Sequence, residues 1–239
     1  MWSQRMTSAV LLSAMTMACG GSGAARDTAS GTKPASPPES PVPIADTTPA
    51  TTPDDRRTIL FLGTSLTAGL GLEPDSAYPQ QIQRKIDARR LPYQVVNAGA
   101  SGETSAGLLR RLDWVLRRPA DVIVVETGAN DGLRGLPVSA TRATIGEVLS
   151  RIRRERPNAA IVLVQMEAPP NLGQEYTSAF RAMFAELAHE HGATLMPFLL
   201  EGVAGESRLN QGDGMHPNNA GERIVADNVW RALEPLLAP

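Results

Sequence analysis

Two hydrophobic periods alternate along the last three quarters of this chain. Residues 58–62 form a short apolar run ending at Gly63, the pattern of a buried strand. Residues 78–90 then take helical spacing, with Ile82 and Ile86 four apart. The same switch recurs. Strands are expected over 93–97, 121–126, 159–165 and, more weakly, 194–198. Helices are expected over 105–117, 139–156, 177–191 and 217–237, with Pro217 in the first turn of the last. Near-continuous apolar strands separated by amphipathic helices predict a mostly parallel, five-stranded sheet covered on both faces, an α/β three-layer sandwich. Chemistry in such sheets collects beyond the carboxyl ends of the strands.

The first quarter of the chain lacks this patterning. Residues 20–55 are rich in Ala, Ser, Thr, Pro, Gly and Asp and hold few large apolar residues. Such a segment cannot bury enough surface to offset its ordering entropy, and 19–56 reads as a disordered tether. Before it, Arg5 precedes an apolar stretch from Met6 to Ala18 and then Cys19-Gly20-Gly21. That is the layout of a secretory signal over 1–18. Thr16-Met17-Ala18-Cys19 resembles the lipobox of bacterial lipoproteins, which implies lipidation of Cys19 and a membrane anchor in the bacterial cell envelope, periplasm or outer membrane; plain cleavage without a lipid, leaving a secreted protein, and an uncleaved anchor are the alternatives. Residues 57–239 are left as one folded domain.

Composition excludes several functions. The net charge of −2 offers no footprint for nucleic acid. The basic run Arg151-Ile152-Arg153-Arg154-Glu155-Arg156 falls at an expected helix end and reads as a solvated face. Cys19 is the only cysteine, so no internal disulfide is possible. Gly69-Leu70-Gly71 is followed by Leu72-Glu73-Pro74, so the third glycine of a dinucleotide fingerprint is missing.

The chemistry-bearing residues lie after strands or in the last loop. Ser65, in Gly63-Thr64-Ser65-Leu66, closes the first strand. Asp213 stands three residues before His216 in Gly212-Asp213-Gly214-Met215-His216-Pro217, a spacing that lets a carboxylate hold an imidazole from behind. Together they suggest a Ser-His-Asp hydrolase. Gly102, after the second strand, can present a free N–H, and Asn130, after the third, an amide. Each residue alone has a plainer reading: Ser65 as a helix cap, Gly102 as a turn glycine, Asn130 as an Asx-turn residue. Asp213 and His216 could also be metal ligands, but no further cluster supports a metal site. His189 and His191 sit at a helix end before Gly192, where they suit the helix dipole. Thr67 stands where an α/β-hydrolase nucleophile elbow requires glycine, which argues against that fold.

In this order and spacing, the four segments resemble the blocks of the GDSL or SGNH hydrolases across residues 57–239. The runs Ala98-Gly99-Ala100-Ser101-Gly102-Glu103-Thr104 and Asn130-Asp131-Gly132-Leu133-Arg134-Gly135 are most similar to the arylesterase and thioesterase/lysophospholipase branch. The resemblance implies a flavodoxin-like α/β/α fold and a serine esterase that needs no cofactor. It implies Ser65 as nucleophile, Asp213 and His216 as its partners, and Ser65, Gly102 and Asn130 as oxyanion-hole donors. The substrate would be a small acyl ester: an aryl or short- to medium-chain ester, a thioester or a lysophospholipid. Loops 70–78, 133–136 and 168–173 would line its site, with Leu133 and Pro170 as candidate contacts. One position departs: the family's nucleophile block carries Asp where this chain has Thr64, which replaces only part of that acceptor. A tethered binding protein without turnover and a carbohydrate deacetylase are the alternative readings. The intact Ser65, Asp213 and His216 speak against the first.

Overall fold

The computed structural model describes residues 56–237. The expected signal over 1–18, Cys19 and the tether up to residue 55 lie outside the described residues.

Five strands form one sheet: β1 (Arg57–Gly63), β2 (Tyr93–Gly99), β3 (Val122–Glu126), β4 (Ala160–Val164) and β5 (Thr194–Met196). Their spatial order is β2-β1-β3-β4-β5 and every pairing is parallel. The central strands β1, β3 and β4 are apolar along most of their length because both faces are covered. Ile59, Phe61, Leu62, Ile123, Val124, Val125, Val162 and Leu163 have no exposed surface.

Among the described residues seven α-helices flank the sheet: α1 (Ser65–Ala68), α2 (Tyr78–Ala88), α3 (Ser105–Val115), α4 (Ala129–Leu133), α5 (Val138–Glu155), α6 (Gln174–Glu190) and α7 (Asn219–Leu233). Helix α2 packs beside α7, and α5 packs between α3 and α6. Right-handed crossovers place α2 on one face and α3, α5 and α6 on the other, and α7, after the last strand, packs beside α2. The chain leaves β1 toward β2 and then reverses direction to reach β3. This switch point opens a crevice at the strand ends.

Two expectations change. Helix α7 begins at Asn219, not Pro217. Asn218 caps it, its side-chain oxygen accepting the N–H groups of Ala220 and Gly221. Pro217 instead forms an antiparallel bridge with Asn210, which pulls it out of the helix. The basic run at the end of α5 is also more than a solvated face. Arg153 donates to the carbonyls of Ala159, His191 and Gly192, and Arg156 to those of Leu116 and Arg118. These arginines tie helix ends and loops together on the face away from the strand carboxyl ends.

Candidate active site

Strand β1 delivers Ser65 as the first residue of the single-turn helix α1. The last loop brings His216 to it across 151 residues of sequence, with Nε2 2.9 Å from Ser65 Oγ. On the far side of the ring, Nδ1 lies 2.6 Å from Asp213 Oδ2. Asp213 Oδ1 accepts the backbone N–H groups of Met215 at 2.9 Å and His216 at 3.0 Å. Gly214 makes this knot possible, with φ of 72° in the left-handed region. The N–H groups of His216 and then Met215 hold the Asp213 carboxyl well below the usual carboxylate range, despite its exposure. Both oxygens of Asp213 are spent on its own loop and the imidazole, a geometry suited to proton transfer from Ser65.

Gly102 is the third residue of a turn closed by Glu103 N–H and the Ala100 carbonyl, and its φ is 75°. The guanidinium of Arg134 donates to the Gly102 carbonyl at 3.0 Å. Asn130, in α4, donates from Nδ2 to the Glu103 carbonyl at 3.0 Å, which leaves its second amide proton for a ligand. Glu103 is itself pinned, its carboxylate taking two 2.7 Å bonds from Arg111. Below, buried Asp131 accepts the N–H and hydroxyl of Ser105, locking α4 to the start of α3. The two candidate oxyanion donors are therefore cross-braced.

Ser65, Gly102, Asn130 and His216 open onto one cleft of about 550 Å³. Leu133 and Pro170 both line it, beside Leu70, Met166, Phe198 and Leu200. Leu133 is 53% exposed and Met215 51%, so the cleft has an apolar rim. Glu167, paired with Arg181, is the one carboxylate in the wall.

Three further residues that shape the site had been given no role by the sequence. Gln211 donates from Nε2 to the carbonyls of Leu70 and Pro217, tying the loop after the serine to the loop of the histidine. Arg134 braces Gly102. Glu126 ends β3 as its only charged residue and is 1% exposed. Its carboxylate accepts the Thr64 N–H at 2.7 Å, the Thr64 hydroxyl at 3.0 Å and the Thr67 hydroxyl at 2.9 Å. Thr64 thus does not leave the serine loop slack. It holds the loop as a donor to a buried carboxylate rather than as the acceptor the aspartate would have been. An acidic residue closing an apolar strand was the available signal.

Residues 61–224 match the GDSL-like lipase/acylhydrolase family. The chain is 37% identical over 183 residues to esterase TesA of Pseudomonas aeruginosa, which covers 76% of this chain and 90% of that protein. It is 36% identical over 181 residues to thioesterase 1/protease 1/lysophospholipase L1 of Escherichia coli, covering 75% and 85%. The crystal structure of the psychrotrophic esterase EstA from Pseudoalteromonas sp., inhibited by monoethylphosphonate, superposes with a TM-score of 0.71 at 35% identity. That match covers 76% of this chain and 98% of the other.

Proposed function

The chain belongs to the GDSL-like lipase/acylhydrolase family and is a serine esterase, and on that premise we propose that it cleaves carboxylic esters of aryl or short- to medium-chain acyl groups, with Ser65 as nucleophile. The carrying observation is the 2.9 Å contact of His216 Nε2 with Ser65 Oγ at the mouth of an apolar cleft. Ser65 Oγ attacks the acyl carbonyl as His216 Nε2 takes its proton. Asp213 orients the ring and stabilises the imidazolium. The N–H groups of Ser65 and Gly102 and the Asn130 amide receive the oxyanion. Collapse expels the alcohol, which takes the proton from His216, and water releases the acid by the reverse path. No cofactor enters these steps.

The wall of the cleft favours apolar acyl groups with neutral leaving groups. Leu70, Leu133, Met166, Pro170, Phe198 and Leu200 supply apolar surface, and no lysine or arginine lines it. A volume of about 550 Å³ falls in the range of roughly 300–1,000 Å³ usual for small-ligand sites. Turnover of p-nitrophenyl esters from acetate to palmitate, by the protein and its Ser65→Ala variant, tests this reading. Ser65-dependent turnover that peaks at short or medium chains is expected. Equal turnover by Ser65→Ala would overturn it, and exclusive turnover of acyl-thioesters or lysophospholipids would move the substrate class.

The apolar run 6–18 and the context of Cys19 support a second proposal, that a lipid on Cys19 tethers the enzyme to a membrane of the cell envelope. Incorporation of labelled palmitate that is lost in Cys19→Ser tests it.

A further inference from the structure

Glu126 closes β3 directly beneath the turn that carries the serine. In the β1–β3 pairing Leu62 stands opposite Val125, so Glu126 lies level with Gly63 and its side chain reaches under Thr64. Thr64 spends both of its hydrogen-bonding donors on this one carboxylate, the N–H at 2.7 Å and the hydroxyl at 3.0 Å. Its side chain therefore makes no cap for α1, the usual use of a threonine at that position. Thr67, one turn on, gives its hydroxyl proton to the same carboxylate and receives that of Tyr78 at 2.7 Å. When Glu126 is ionised it is acceptor-only, and the relay then runs in this direction. Among the described residues no cation pairs with Glu126, so hydroxyls and an amide hold it. Gly63 leaves the space: a Cβ there would lie 2.8 Å from Glu126 Oε2 and 1.9 Å from Thr67 Oγ1.

We propose that Glu126 is a positioning residue for Ser65, acting through Thr64. The carboxylate fixes the Gly63–Thr64 peptide plane and the side chain of Thr64, whose backbone at φ −98° and ψ −151° leads into Ser65, so that Ser65 Oγ stays on His216 Nε2. Thr64 is matched to this arrangement. A second carboxylate at 64 would put two like charges together in a buried site, whereas a hydroxyl offers the donor that Glu126 needs. The Thr67–Tyr78 relay extends the brace, and Tyr78 N–H is held by Glu222 of α7, the helix that follows His216. Both sides of the Ser65–His216 contact are thereby anchored to one buried network.

This role presupposes Ser65 as the nucleophile, and the test separates the two. Thr64→Val removes the hydroxyl at nearly constant shape; Thr64→Ser keeps it; Glu126→Gln replaces the acceptor carboxylate by an amide. Turnover of p-nitrophenyl butyrate is measured on the full chain per site titrated with a serine-reactive phosphonate, with Ser65→Ala as the control. Loss of phosphonate labelling in Ser65→Ala establishes the nucleophile whatever the other variants do. Positioning predicts that Thr64→Val lowers kcat at least about tenfold with KM within about threefold, since small misplacements of reacting atoms cost that much or more. Thr64→Ser should stay within about threefold of the parent in kcat, restored by the hydroxyl alone. Glu126→Gln should follow Thr64→Val. Should Glu126→Gln fail to fold, the two Thr64 variants decide. Unchanged kcat in Thr64→Val, a loss confined to KM, or a Thr64→Ser as impaired as Thr64→Val would overturn the proposal.

Discussion

The carboxylate of Asp213 holds the imidazole of His216 and the backbone N–H of that same residue, through different oxygens at 2.6 Å and 3.0 Å. The loop therefore cannot move the ring without moving the acid. Such preorganisation needs only four residues, one of them a glycine with positive φ.

Asp213→Asn separates geometry from charge. The amide oxygen can still accept the N–H groups of Met215 and His216, so the loop should keep its shape. The amide nitrogen would donate to Nδ1 and leave the proton on Nε2, the wrong tautomer for receiving the Ser65 proton. Turnover should fall by roughly 10³–10⁴-fold with little change in KM. Steady-state kinetics beside a thermal melt checks this; a variant within tenfold of the parent would remove Asp213 from the mechanism.

Asn130→Ala deletes the proposed oxyanion donor and also the bond to the Glu103 carbonyl. A loss of about 100–1,000-fold in kcat is expected. Arg134→Ala removes only the brace on Gly102 and should cost less, because the turn retains its Glu103–Ala100 hydrogen bond. Equal losses in the two variants would mean that the amide of Asn130 serves the turn rather than the oxyanion.

Stability should fall as pH rises from about 4.5 to about 8. Burial pushes the Glu222 carboxyl from 4.5 up to about 8, against the pull of the Tyr78 N–H it accepts at 2.6 Å. Across that window the folded protein holds a proton that the unfolded chain has released, so the unfolding free energy decreases with pH. Burial raises Glu126 too and adds a slope of the same sign. Glu222→Gln keeps an acceptor for Tyr78 and removes the ionisation. Its melting temperature should match the parent near pH 5 and exceed it at pH 9, by an amount corresponding to a few kcal/mol at most. A Glu222→Gln variant less stable than the parent at pH 9 would contradict this.

Strand–helix alternation made the parallel sheet legible in the sequence, because strands buried on both faces need no polar positions. The spacing of Asp213 to His216 and the glycines around Ser65 and Gly102 made the candidate site legible. Helices α1 and α4 were not, since four or five residues carry no period, and the start of α7 was displaced by a proline that bridges to Asn210 instead. The network of Glu126, Thr64, Thr67 and Tyr78 was hidden for another reason. Its members are separated by 62 residues at most and joined only by the sheet register, and nothing local marks Thr67 as a donor to a strand end.

The rim of the cleft should set chain-length preference. Leu133 lines the cleft yet is 53% exposed, so an acyl chain lying on it would bury surface that water now covers. Acetate is too short to use that surface; octanoate should reach it. Full burial of a leucine side chain is worth about 1.5–3 kcal/mol, roughly a 10- to 150-fold effect, and partial cover gives a fraction of it. Leu133→Asp should therefore lower kcat/KM for p-nitrophenyl octanoate by about tenfold and leave the acetate within about twofold. The interaction is made in the ground state and the transition state alike, so the loss should appear in KM rather than kcat. A parallel loss for both esters would show that Leu133 supports the oxyanion-hole segment beside it rather than the acyl chain.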